Sequence, residues 1–64
     1  MKRKDLIGHL FKNGCIFVRE GARHSVFFNP QVKRSSTVPR HNEIDSFLSK
    51  KICQDLGIES PKKK

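Results

Sequence analysis

A chain of 64 residues with 34% apolar content has room for one small core, because so short a chain cannot divide its buried surface between two. Fourteen Lys and Arg against six Asp and Glu give a formal charge of +8, which in a domain of this size points to a polyanion, nucleic acid first. A membrane surface is the weaker reading: no stretch joins a long apolar face to a lysine-rich one, and none approaches the length of a span.

The chain opens MKRKDLIGHLF, a basic start without the continuous apolar run of a secretory leader. Within residues 3–13, Leu6, Ile7, Leu10 and Phe11 recur at spacings of three and four, which predicts an amphipathic helix with a narrow buried face. Gly14 stands where a left-handed residue ends such a helix, while Gly8 weakens it by about 1 kcal/mol relative to alanine. CIFVR at 15–19 is β-branched and aromatic and too short for a stable helix, so it reads as a strand. Glu20 to Arg23 supplies a turn, and HSVFFN at 24–29 reads as a second strand that Asn29-Pro30 breaks. SSTVP at 35–39 is the third, closed by Pro39, which cannot donate to a ladder. Phe47, Leu48, Ile52 and Leu56 predict a helix over 45–56, with Asn42 or Asp45 to cap it and Gly57 to end it. The domain is expected to occupy 1–58, and the basic stretch 59–64 reads as a solvated, disordered tail.

The order α-β-β-β-α predicts an α+β domain: a three-stranded antiparallel sheet with two helices on one face and the other face open. Alternation puts Ser25 and Phe27 on one side of the second strand, and His24, Val26 and Phe28 on the other. Parity alone does not choose the buried side. If Phe27 is buried, His24 sits on the open face beside Val26 and Phe28, a candidate partner-binding pair.

Cys15 and Cys53 are isolated thiols beside apolar residues and without CxxC spacing, as expected of buried free cysteines in a cytoplasmic protein. Zinc needs four ligands in close pairs, whereas the histidines are scattered at 9, 24 and 41, so neither metal nor cofactor is expected. His9 lies off the apolar stripe and reads as a surface residue. His24 is either an ordinary strand residue or the chemical point of the protein. Arg19 and Arg23 lie within a few residues of it, and Lys33, Arg34 and Arg40 are one hairpin away. An imidazole among guanidiniums suits RNA cleavage without metal: the ring takes the 2′-hydroxyl proton and the cations stabilise the phosphorane. His41, in VPRHNEI, is a solvated or capping loop residue, a phosphate contact or a second proton carrier. Candidate RNA contacts are Lys2, Arg3 and Lys4, then Arg19 with Arg23, then Lys33 and Arg34 with Arg40, and His41 beside them. No phosphate-cradling glycine motif, carboxylate pair or Ser/His/Asp set occurs, and acidic residues are too few for a two-metal nuclease.

Taken in order, MKRKDLIGHLFKNGC, FVREGARHSVFFNP, STVPRHNEI and ICQDLGI resemble the HicA family of bacterial toxins, over about residues 1–58. The resemblance implies a double-stranded-RNA-binding-domain-like fold and a metal-independent endoribonuclease that cleaves mRNA. It also implies a HicB-type antitoxin that occludes the active site. His24 matches the family's essential histidine, which follows a glycine turn at the start of the second strand, and the general-base role falls to it. Many members carry Gly-Ser-His there; Gly21-Ala22-Arg23-His24 is one residue longer, and Cys15 replaces the aromatic common after the helix-ending glycine. The competing readings are a non-catalytic RNA-binding module of the same fold and a structural subunit that docks through Val26 and Phe28. A pure binder has no need of an imidazole at position 24.

Overall fold

The computed structural model describes residues 1–61; the final three lysines of the expected tail lie outside the described residues. Helix α1 (Arg3–Lys12) leads into strands β1 (Ile16–Glu20), β2 (His24–Asn29) and β3 (Arg34–Pro39), and helix α2 (Ser46–Asp55) follows. The strands form one antiparallel sheet in the order β1-β2-β3. The α-β-β-β-α order expected from the sequence is therefore the observed one.

Leu6 and Leu10 of α1, Phe27 of β2, Val38 of β3, and Ile52 and Cys53 of α2 meet in a single buried cluster, which Cys15, Ile44 and Leu56 complete. Both helices thus cover the face that carries Phe27. The buried stripe of α1 is narrower than its apolar spacing suggests: Ile7 is half-buried and Phe11 is 53% exposed. Phe47 departs from expectation. Its side chain is 76% exposed, and the inward face of α2 is instead Ser49, Ile52 and Cys53, continued by Leu56. These sit at i, i+3, i+4 and i+7, whereas Phe47 is five residues from Ile52 and so points well away from that stripe.

Both helices stop by the same device. After α1 the N–H of Gly14 donates to the carbonyl of Phe11 and that of Cys15 to Leu10, each at 3.0 Å, with Gly14 at φ +88°. After α2 the N–H groups of Gly57 and Ile58 donate to Gln54 and Cys53, again at 3.0 Å, with Gly57 at φ +71°. These are Schellman closures, which require a residue tolerant of the left-handed conformation. Asp45 occupies the N-cap position of α2, but its side chain makes no capping bond. The chain start is stitched to the segment before α2: Arg3 N donates to Asn42 O at 2.8 Å, Ile44 N to Met1 O at 2.7 Å, and the terminal amine reaches Glu43 Oε2 at 3.0 Å.

Both cysteines are free and buried. Burial pushes the Cys15 thiol up, and burial followed by the neighbouring Cys15 pushes Cys53 up to about 11. Both therefore stay protonated at neutral pH and act as small apolar core residues.

Gly8, inside the first helix, and Gly14, just past its end, should respond in opposite directions to alanine. Nothing lies within 4 Å of a Cβ added at Gly8 or at Gly14, so packing is not at issue at either. Gly8→Ala is expected to raise unfolding free energy by about 1 kcal/mol through helix propensity. Gly14→Ala is expected to lower it by about 1 kcal/mol through the left-handed backbone. Urea midpoints of the two variants give the comparison, and shifts of the same sign would contradict it.

Candidate functional site

Strand pairing sets the geometry. Ser25, Phe27 and Asn29 are buried, so alternation turns His24, Val26 and Phe28 to the open face. In register, His24 stands opposite Pro39, Val26 opposite Thr37, and Phe28 opposite Ser35 on one side and Ile16 on the other. A β-bulge in β1 puts both Val18 and Arg19 against Val26. Ile16 and Val18 are about half exposed, so the open face carries an apolar patch in its middle and His24 at one corner.

At that corner β3 runs past the start of β2. Ala22, Arg23, His24, Pro39, Arg40 and His41 line one open pocket of about 550 Å³. Two histidines and two arginines far apart in sequence are thereby gathered in one place. His24, Arg23, Arg40 and His41 are all exposed. Among the described residues, neither the His24 nor the His41 ring makes a hydrogen bond to protein. His9 differs: its Nε2 is 2.7 Å from the Glu59 carbonyl, so its ring is tied to the start of the C-terminal segment.

A polar chain holds this corner from behind. Arg3 donates through Nε to Pro39 O at 2.9 Å and through Nη2 to Ser25 Oγ at 2.7 Å. The Ser25 hydroxyl donates in turn to the Glu20 carboxylate, 3.1 Å from Oε1 and 3.2 Å from Oε2. Arg40 Nε closes the chain on Glu20 Oε2 at 3.0 Å. Helix α1 and all three strands are thus joined by one set of charge-assisted bonds.

The other basic residues fall in different places. Arg19 is on the open face against Val26, one residue before the end of β1; Glu20, expected in the turn, is the last residue of that strand. Lys2, Arg3 and Lys4 line a separate pocket with Asn42 and Glu43, one residue beyond His41. Arg34 pairs with Asn29 at the far end of β2, roughly 17 Å from His24 at about 3.4 Å rise per residue, and Lys33 precedes it. The structure does not bring Lys33 and Arg34 to the histidine pocket. Sequence reasoning also passed over Glu20 and Ser25 as site residues. The available signal was their position: two polar residues at the turn end of a hairpin face each other across its strands, as Glu20 and Ser25 do here.

Among the described residues, no group of three or more His, Cys, Asp or Glu is placed to hold a metal ion. No helix among them is long and apolar enough to cross a membrane.

A basic α-β-β-β-α domain with a histidine at the start of its second strand is the class of protein that the fold and site define. Residues 3–58 match the family model described as HicA toxin of bacterial toxin–antitoxin systems, and the chain belongs to that family. Membership makes it a toxin of a toxin–antitoxin pair and implies a cognate antitoxin partner. No curated protein and no solved structure matches the chain.

Ser25 is 3% exposed and serves both Arg3 and Glu20, so its hydroxyl has two partners to lose. Ser25→Ala is expected to cost about 1–2 kcal/mol, as Arg3 and Glu20 lose the buried hydroxyl that links them. Urea unfolding measures this, and stability equal to wild type would mean the polar chain adds nothing to the fold.

Proposed function

We propose that this toxin is a metal-independent endoribonuclease acting on mRNA in the cytoplasm, with His24 as general base. The observation that carries the reading is the pocket in which His24 and Arg23 of one hairpin meet Arg40 of the next. An unbonded imidazole can accept the 2′-hydroxyl proton as the 2′-oxygen attacks phosphorus. Arg23 and Arg40 supply positive charge where the phosphorane forms, and Glu20 fixes Arg40 through Nε while leaving both Nη groups for phosphate. Arg19, Lys2 and Lys4 extend the cationic surface on either side, Arg3 adds its charge from behind while bonded to Pro39 O and Ser25 Oγ, and Arg34 is a contact for a strand long enough to cross the sheet. Residues 1–58 form the functional unit, and the stretch 59–64 is a basic appendage.

The antitoxin is of the HicB type and docks on the open face. Val26 and Phe28, half-buried, lie with exposed Ile16 and Val18 along the same face as His24, Val26 being the next outward residue of β2. A partner that covers these apolar groups also blocks access to His24, so docking and inhibition are one event.

His24→Ala is expected to abolish growth arrest on induction and to preserve full-length mRNA, since a general base contributes about 10²–10⁴-fold. The thermal midpoint should hold, because His24 is exposed. Wild-type toxicity in His24→Ala would refute the catalytic role and leave an RNA-binding module that does not cleave.

Phe28→Glu tests the docking face separately. The charge would lie on the open face, so the free domain should fold while affinity for the antitoxin drops by at least tenfold, measured by titration calorimetry. Undiminished affinity would place the antitoxin elsewhere.

A further inference from the structure

We infer that His41 is the second proton carrier of the site: the general acid that protonates the leaving 5′-oxygen. The inference rests on the endoribonuclease reading and assigns a step which that reading leaves open. Cleavage by the 2′-hydroxyl needs two proton transfers. One proton leaves the 2′-oxygen as it bonds to phosphorus, and another must reach the 5′-oxygen as its bond to phosphorus breaks. A single imidazole cannot serve both positions at once, because the attacking and departing oxygens lie on opposite sides of the phosphorus.

The pocket holds a second group able to do this. His41 lines it with His24, is exposed, and has no protein hydrogen bond among the described residues. Its position is built rather than accidental. The His24–Pro39 register carries the chain past the β1–β2 turn, and Arg3 holds the Pro39 carbonyl. Arg40 is anchored on Glu20, and Asn42 O accepts from Arg3 N, so both neighbours of His41 are tied down. A loop fixed on either side of a free imidazole presents that imidazole. The other charged groups lining the pocket, Arg23 and Arg40, are guanidiniums, a side-chain type that does not serve as a proton donor in general acid catalysis.

The step balances without a co-reactant. His24 takes the 2′-hydroxyl proton, the 2′-oxygen bonds to phosphorus, the bond from phosphorus to the 5′-oxygen breaks, and His41 gives its proton to that oxygen. The products are a 2′,3′-cyclic phosphate and a 5′-hydroxyl. The two imidazoles then return to their starting protonation states by exchange with water.

A sulfur substitution isolates the role. A thiolate leaves without protonation, so RNA with sulfur in place of the bridging 5′-oxygen needs no general acid. The probe is a short oligonucleotide with one ribonucleotide, at a site mapped on longer RNA, in oxygen and sulfur versions. His24→Ala is expected to slow both versions by about 10²–10⁴-fold. His41→Ala is expected to slow the oxygen version by a similar factor and to cleave the sulfur version within a few-fold of wild type. It should also lose the alkaline limb of the wild-type pH–rate profile on the oxygen version, the limb set by the acid. Equal slowing of both versions by His41→Ala would make the residue a phosphate contact and overturn the assignment. So would unchanged cleavage of the oxygen version. Wild-type protein that cleaves neither version, and no longer RNA, overturns the nuclease reading and the assignment with it.

Discussion

Phe27 is 2% exposed, with the rings of Phe11 and Phe17 set edge-on to it at centroid distances of 5.7 and 5.8 Å, and its burial decides where every other side chain of β2 points. Side chains alternate along a strand, so a one-residue slip would bury His24 and Val26 and expose Phe27. Burying an aromatic ring of this size is worth about 1.5–3 kcal/mol, and edge-on aromatic pairs add to it. That is a large share of the stability of a domain this small. The same energy that closes the core therefore holds His24 outward.

Holding a histidine outward does not build a site around it. The Arg3–Ser25–Glu20–Arg40 chain does that, by joining the start of α1, the end of β1, the start of β2 and the residue after β3. Its middle member, Ser25, is the buried neighbour of His24, so the strand that exposes the imidazole also anchors the support behind it. The outer ion pair between Glu20 and Arg40 is about half exposed and is weak on its own, as surface pairs are. Its value lies in orientation: bonding through Nε turns the guanidinium while leaving both Nη groups free of that ion pair.

Much of this was legible from the sequence, and the rest was not for identifiable reasons. Element order and boundaries follow from local signals, and the structure matches them to within about a residue: Gly14, Gly57, Asn29-Pro30 and Pro39 each end an element where their backbone chemistry requires. The pairing of His24, Val26 and Phe28 on one face was also readable, from parity. Which face was buried was not, because that depends on helices that pack across the sheet. Phe47 misled because a large aromatic next to Leu48 looks like core, yet it lies off the stripe that Ile52 and Cys53 define. The gathering of His24, Arg40 and His41 depends on strand register, and the double role of Arg3 depends on contacts 22 and 36 residues away in sequence. Long-range contacts of that kind leave no local signature.

The acidic residues offset part of the domain's positive charge and leave a net excess of it. Three of the six pair with groups of the chain itself at the surface: Glu20 with Arg40, Glu43 with the terminal amine, and Asp55 with Lys51 and Ser36. Each carboxylate relieves repulsion where the fold brings cations together, and Glu20 does so next to the histidine pocket. The remaining positive excess faces outward, where a polyanion can meet it at no cost to these pairs. A protein partner on the open face meets a different surface, with apolar Val26 and Phe28 at the centre and cations at the margin. Under the proposed function, RNA and antitoxin would draw on separate physical properties of one face, charge for the first and apolar area for the second. They would compete there because His24, at one corner of that face, lies between the cations and the apolar patch.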